Sequence, residues 1–324
     1  MALHINESEV RSVLTMEMAL EAVEDSLRKQ ARAEVVVQPR RRFELPNGFY
    51  HYMAAADYSS GFIAEKQYTY VSGKLRFLVS LFEIATGDLV ALIEADYMGR
   101  LRTGAASGIA TKVLARKNSK IAAIVGTGGQ ARTQLQAVAA VRKLESARAY
   151  GRDATRRQKF CSEMSERLGI PVTAAGSAKE AVQGADIVCT ATTAAHAVVI
   201  GADLSQGMHI NAIGANHAHK RELDEAAVGR AGVIVVDSLE QSREEAGDLI
   251  LAFHGNESRW AAVKRLADVV YGKIPGREND SQVTLFKSNG IASWDLAAAV
   301  KVFSLSRTKK LGREIALWAD TRKP

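Results

Sequence analysis

Apolar and polar positions alternate along residues 35–98. The segments FYHYMAAA, FIAEKQYTYV, RFLVSLFEI and DLVALIEADY are rich in β-branched and aromatic residues, as half-buried strands are. Pro46-Asn47-Gly48, Ser72-Gly73-Lys74 and Thr86-Gly87-Asp88 separate them and read as turns. The pattern predicts an antiparallel meander of about four strands. A helix is expected next, over about residues 98–117. Its first half carries Gly104, Ala105, Ala106, Ser107 and Gly108, side chains small enough for close packing.

From Lys120 the rhythm changes. KIAAIVG, SARAYG, PVTAA, ADIVCTAT, GMHINAIG and AGVIVVD are short apolar runs, each followed by helical or loop sequence. That is the signature of a parallel sheet covered on both faces. The alternation ends near Ala246, and a less regular stretch leads to VTLFKSNG at residues 283–290. Beyond Trp294, the apolar Leu296, Ala299, Val300 and Phe303 recur at helical spacing. They predict a long terminal helix that packs back on the first domain and makes it discontinuous.

Composition narrows the class without naming a function. Among 324 residues, 47% are hydrophobic and 24% charged, ordinary globular values that leave no room for a disordered or collagen-like chain. Two cysteines, Cys161 and Cys189, make neither a disulfide framework nor a zinc set. MALHINESEV lacks a charged segment followed by an apolar one, and no apolar run approaches the roughly 20 residues of a membrane span. A cytoplasmic protein with no membrane partner is expected. The net charge of +7 raises nucleic acid as a partner, but the basic residues are spread out. Only Arg40-Arg41-Arg42 and the group Arg152, Arg156, Arg157 and Lys159 are dense, and neither is interleaved with aromatics as a single-strand platform would be. No nucleic-acid partner is expected, and each basic spot is read as meeting a small anion.

The strongest local motif is Gly126-Thr127-Gly128-Gly129-Gln130-Ala131, between KIAAIV and the helix-like ARTQLQAVAAVRKL. A lone G-x-G-x-x-G/A is weak, but after a buried strand and at the start of a βαβ unit it marks a dinucleotide site. Gly126 permits the tight turn, Gly128 lets the backbone approach a pyrophosphate, and Ala131 lets helix and strand pack. The helix N-terminus offers the phosphates free N–H groups. At the end of the second strand an NAD site expects Asp or Glu for the ribose hydroxyls. This chain has Gly151 there, followed by Arg152 and Arg156, which suit a 2′-phosphate. NADP(H) is therefore favoured, with NAD(H) as the alternative because Asp153 lies nearby.

GTGGQARTQLQAV, LRTGAASGIATKVLAR, GMHINAIGANHAHKRELD and DSQVTLFKSNGIASWDLA together resemble the ornithine cyclodeaminase/μ-crystallin family over about residues 35–300. The resemblance implies an α/β protein: a Rossmann-type parallel-sheet domain, residues 119–290, inserted into a discontinuous α+β substrate-binding and dimerisation domain. The latter is expected to comprise residues 1–118, completed by 291–324. A homodimer is implied, formed through sheets of two protomers. Three cations are implied around a substrate carboxylate: Lys66, Arg102 and Arg40, or Arg42 if the register slips by two. Thr192 and Ile213 match cofactor contacts bordering the nicotinamide half, and Asp280 matches an acidic residue near the active site.

The family includes cyclodeaminases, which move protons between two nitrogens and need extra acid–base groups. Their carboxylates fall where this chain has Asn216 and His51. Asparagine cannot take a proton but can orient a substrate or cofactor. His217 and His219 form an H-x-H pair with no evident third ligand, so no metal is expected. The expected activity is NAD(P)H-dependent reduction of a small 2-imino acid or cyclic ketimine, such as Δ1-pyrroline-2-carboxylate, to an L-amino acid. Ornithine cyclodeaminase, an alanine dehydrogenase-like enzyme and a non-catalytic NADPH-binding crystallin-like protein remain alternatives.

Overall fold

The computed structural model describes residues 1–317. The chain divides into two units, residues 1–102 with residues 291 onward, and residues 103–290. Among the described residues no helix is long and apolar enough to cross a membrane.

In the first unit, strands β1 (Ala2–Ile5), β2 (Val35–Leu45), β3 (Gly48–Asp57), β4 (Phe62–Val71), β5 (Lys74–Glu83) and β6 (Leu89–Glu94) form one sheet. Its order is Arg313–Ile315, β1, β6, β5, β4, β3, β2. Strands β2 to β6 are antiparallel neighbours. The meander therefore has one strand more than the expected four. Val35–Leu45 was the least legible because Pro39 and three arginines break its alternation. Proline cannot donate to a ladder and is tolerated at bulges, and the β2–β3 register does shift between Gln38 and Arg41. The bulge buries Pro39 and Arg40 side by side.

The helix Ala292–Thr308 packs across β2 to β5 and against the helix Met16–Ala31. It buries Trp294, Leu296, Ala299 and Phe303 on that side. Full burial of a large apolar side chain contributes about 1.5–3 kcal/mol, which offsets the cost of the one carboxylate, Asp295, that this face carries inward.

The second unit is built on β7 (Ile121–Val125), β8 (Ser146–Tyr150), β9 (Val172–Ala174), β10 (Ile187–Thr190), β11 (His209–Ala212), β12 (Ala231–Val236), β13 (Lys264–Arg265) and β14 (Val283–Lys287). All pairs are parallel, in the order β13-β12-β14-β11-β10-β7-β8-β9. VTLFK, which read as the end of an irregular stretch, is thus a central strand between β12 and β11. Alternate residues of β7 feed opposite apolar clusters: Ala123 and Val125 join Val188, Ile210 and Leu285, while Ala122 and Ile124 join Leu135, Val138 and Phe160. Both faces of the sheet are covered, as continuous apolar strands require.

The helix Asp96–Leu114 runs through the division between residues 102 and 103, where the sequence reading ended the first domain at residue 118. Its second half is held within the second unit. A Cβ on Gly104 would lie 2.4 Å from the Thr133 carbonyl, so the glycine permits the close helix contact that the small residues implied. Arg142 donates to the carbonyls of Thr111, Lys112 and Ala115.

Candidate active site

In the first unit the β2 bulge opposes Met53 of β3, and Met53 pairs with Lys66 of β4. Arg40 and Lys66 therefore share one row across the sheet, and both are about 95% buried. Arg102, equally buried, comes from the first turns of the helix Asp96–Leu114. The three cations need a counter-charge, since buried charges are tolerated only when paired. Asp295 supplies it. Its Oδ1 accepts from Lys66 Nζ at 2.8 Å and from Arg102 Nε at 3.0 Å.

Two atoms of this cluster are left over. Arg102 Nη1 and Asp295 Oδ2 are buried and find no hydrogen-bond partner among the described residues. An unmet donor beside an unmet acceptor suits a ligand that carries both an anionic oxygen and an N–H.

Lys66 is tuned as well as placed. Burial, then the Arg102 charge, pull its ammonium from the ordinary 10.5 down to about 8, with Arg40 adding to the fall and Asp295 opposing it. Asp295 itself is held below the usual carboxylate range: burial pushes it up, but Arg102 and Lys66 outweigh that. Phe77 and Tyr68 turn their rings toward Lys66 Nζ, at 5.3 and 5.9 Å from the ring centroids, and Gly99 leaves room for it.

Other residues singled out from the sequence are placed as follows. Arg40 is the arginine of the triplet whose charge reaches Lys66; Arg41 is exposed and Arg42 lies opposite His51. His51 is 2% exposed, stacked on Phe49 with its Nδ1 2.8 Å from the Tyr68 hydroxyl. Asp280 belongs to the second unit. It is exposed in the turn before β14, at the amino edge of the second unit's sheet, whereas ligands of such sheets bind beyond the carboxyl ends. The acidic residue of this segment that meets the cations is Asp295, which sequence reading missed. A signal was present: Asp295 shares the apolar stripe of Ala292, Leu296 and Ala299, and a charge on a buried stripe demands a partner.

In the second unit the glycine-rich turn leaves the carboxyl end of β7. Gly126 has φ +105°, and a Cβ there would lie 2.4 Å from the Ala191 carbonyl, so only glycine fits without strain. A Cβ on Gly128, by contrast, would meet open space. The helix Gly129–Val141 follows, its N-cap Gly128 offering no side-chain cap to the first-turn N–H groups. Open space, uncapped donors and a helix N-terminus fit a dinucleotide pyrophosphate. Thr127 lies in the same turn, while Gln130 and Ala131 stand in the first turn of the helix, with Ala131 fully buried in the apolar cluster of Ile124 and Leu135.

At the end of β8, a Cβ on Gly151 would stand 2.5 Å from Thr127 Oγ1, and glycine carries no carboxylate there. Asp153 is engaged as N-cap of the helix Ala154–Leu168, accepting from the Arg156 N–H at 2.9 Å. Arg156 Nε stands 3.6 Å from Asp153 Oδ2, and Arg157 donates to the Gly151 carbonyl at 2.6 Å. Arg152 is exposed beside Gly151. Thr192 and Ile213 follow β10 and β11 at the same carboxyl edge, and Asn216 lies half-buried in the loop after β11. Among the described residues no group of three or more His, Cys, Asp or Glu side chains could hold a metal ion.

A sequence profile of the ornithine cyclodeaminase/mu-crystallin family matches residues 3–310. A Δ(1)-pyrroline-2-carboxylate reductase of Bacillus cereus is 36% identical over 239 residues, 74% of this chain and 73% of that protein. Among solved structures, the Δ(1)-pyrroline-2-carboxylate reductase of Thermococcus litoralis, in complex with NADH and L-proline, superposes with a TM-score of 0.93 at 36% identity, over 97% of this chain and all of that one. An archaeal alanine dehydrogenase dimer with bound NAD gives 0.92 at 32% identity, over 98% and 99% of the two chains. With the profile match spanning nearly all of its residues, the chain belongs to the ornithine cyclodeaminase/mu-crystallin family.

Proposed function

We propose that this protein is a nicotinamide-dependent oxidoreductase that reduces a small 2-imino acid or cyclic ketimine, of which Δ1-pyrroline-2-carboxylate is representative, to the L-amino acid. The observation that carries this reading is the buried cluster of Lys66, Arg102 and Asp295 with its unmet donor and acceptor. Arg102 Nη1 is the group for one substrate carboxylate oxygen, as a guanidinium fork is suited to carboxylates. Arg40 adds the charge that makes the clamp selective for an anion. Lys66, with a pKa of about 8, holds a proton near neutral pH and can deliver it to the substrate nitrogen, and in the reverse direction can take it back. The reduced nicotinamide of a dinucleotide held by the turn Gly126 to Ala131 would supply the hydride for the imine carbon, and Lys66 the proton for the nitrogen, which together make one amine.

The chain has no carboxylate at residues 51 and 216, where the resemblance locates the acid–base groups of cyclodeaminases. Asn216 would orient ligand rather than move protons. The Bacillus and Thermococcus relatives, both named as pyrroline-2-carboxylate reductases, support reduction without ammonia release.

NADP(H) is the cofactor we favour over NAD(H). Gly151, the capping role of Asp153 and the exposed Arg152 support it. The Thermococcus structure holds NADH and the alanine dehydrogenase NAD, so the dinucleotide class is shared and the phosphate is the point to test. Gly126 to Ala131 would hold the pyrophosphate, and Thr192 and Ile213 would border the nicotinamide half.

A homodimer completes the proposal. The end of the first unit's sheet beyond the helix Ala292–Thr308 exposes Phe43, Tyr70, Val71 and Leu75 at 40–55%, with Phe43 stacked near Tyr50 and Tyr52. An apolar face of this kind marks an interaction surface, and the archaeal relative is a dimer. Both cysteines are buried and free, which supports a cytoplasmic location.

The test is oxidation of NADPH and of NADH across cyclic ketimines and mixtures of 2-oxo acids with amines, with chiral analysis of the product. Reduction of at least one ketimine to an L-amino acid is expected. Proline and ammonia formed from ornithine with catalytic NAD would overturn the reading in favour of a cyclodeaminase.

A further inference from the structure

Among the charged side chains that the second unit buries at the carboxyl edge of its sheet, Glu222, Asp248 and Lys287 adjoin one another, and the mechanism above uses none of the three. Glu222, Asp248 and Lys287 are all 0% exposed. Glu222 Oε1 accepts from the Thr192 N–H at 2.7 Å. Its Oε2 accepts from the Thr190 hydroxyl and from the Gly214 N–H, each at 2.7 Å. One carboxylate thus ties the segment leaving β10 to the segment leaving β11.

The fit is close on every side. A Cβ on Gly214 would lie 2.5 Å from Glu222 Oε1 and 2.3 Å from the Thr192 carbonyl. Thr192 in turn abuts the glycine-rich turn, since a Cβ on Gly126 would come within 3.2 Å of its Cγ2. Behind Glu222, Asp248 Oδ1 accepts from the N–H groups of Glu222 and Leu223 at 2.6 and 2.8 Å. Asp248 Oδ2 lies 3.1 Å from Lys287 Nζ, and Lys287 also donates to the carbonyls of Ala212 and Ala215.

Burying an extra carboxylate is costly, and closing two loops alone would not require one. What a carboxylate offers is two oxygens that only accept, so two separate segments are held at one fixed spacing. The place matters too. The chain passes from β7 to β8 on one side and later to β10 on the other; at such a reversal a doubly wound sheet binds its ligand.

We propose that Glu222, braced by Asp248 and Lys287, is a positioning residue for the nicotinamide half of the dinucleotide. It clips the β10 and β11 segments together so that Thr192 and Ile213 border the nicotinamide. This rests on the dinucleotide reading given above.

The experiment compares binding of two ligands by calorimetry: the dinucleotide that binds the parent protein, and the same molecule lacking its nicotinamide ring. In Glu222→Gln the amide turns a donor toward one of the two backbone N–H groups. We expect affinity for the whole dinucleotide to fall about tenfold or more, while affinity for the ring-free ligand stays within about twofold. Thr190→Val removes one donor and keeps the shape, with about a threefold loss of the same kind; it decides the matter alone if Glu222→Gln does not fold. Equal losses for both ligands, or none for either, would overturn the positioning role while leaving the oxidoreductase reading intact. A parent protein that bound no nicotinamide dinucleotide at all would overturn both.

Discussion

Replacing Asp295 by asparagine keeps the size of the side chain and deletes its charge. In the parent, Oδ1 lies 2.8 Å from Lys66 Nζ and 3.0 Å from Arg102 Nε, all of them buried. Asp295 is the influence that holds the Lys66 proton against burial, Arg102 and Arg40. An opposite charge this close favours the charged form by about 1–3 pH units, so in Asp295→Asn the titration of Lys66 moves from about 8 to roughly 6. Reduction requires the protonated amine. At pH 7.5 its fraction falls from about three quarters to about 3%, a loss of about 25-fold in the reductive rate. The sign reverses for oxidation, which needs the neutral amine: its rising limb moves to lower pH by the same interval. The assay is the pH profile of kcat/KM in both directions, with folding checked by circular dichroism. Deleting one partner of a buried ion cluster costs roughly 3–5 kcal/mol, so rates are to be read well below the lowered Tm. A folded Asp295→Asn whose reductive profile still breaks near pH 8 would refute the reasoning.

Three further outcomes follow from the geometry. Arg152→Asp should raise the KM for NADPH about 100-fold with a much smaller change for NADH, read from initial rates with each cofactor; an unaltered preference would remove Arg152 from the 2′-phosphate site. Gly126→Ala places a Cβ at φ +105° and 2.4 Å from the Ala191 carbonyl, which should cost roughly 2–4 kcal/mol in urea unfolding and weaken dinucleotide binding; parent-like values for both would show that the turn accommodates a side chain. His209 is fully buried between Thr284 and Asn211, and burial, with Arg277 assisting, pulls its pKa from 6.5 to about 3. Because the folded value lies below the unfolded one, its share of stability is complete above pH 6.5 and declines by about 1.4 kcal/mol per pH unit toward pH 3. Urea titrations of the parent and His209→Gln should therefore converge as pH falls through that window, and a constant gap would count against a neutral buried imidazole.

Local pattern revealed a good deal of this molecule, and its successes share a cause. The glycine-rich turn, the meander and the alternating apolar runs are properties of residues near one another in the chain, so period and turn chemistry report them. The family resemblance points to Lys66 and Arg102, which the structure buries together around Asp295, and the spacing beyond the glycines points to Gly151 and Arg152 as the ribose side of the proposed dinucleotide site. The misses have the opposite character. VTLFK reads as one short apolar run; only its pairing with β11 and β12 makes it central. Asp295 was missed as the partner of Lys66 and Arg102: its place on a buried helical stripe says that it needs a counter-charge, but not which one.

Lys66 and Asp295 are 229 residues apart, and no periodicity carries information over that distance. Their meeting is decided by the helix Ala292–Thr308 packing on the sheet, which takes a carboxylate out of water and leaves it Lys66 and Arg102 as company. The same holds for Glu222, Asp248 and Lys287, which as letters are ordinary surface residues. The chain's local chemistry thus settles which turns, strands and cations exist. Burial settles which charges must find one another, because only where water is excluded does an unpaired charge become too costly to keep.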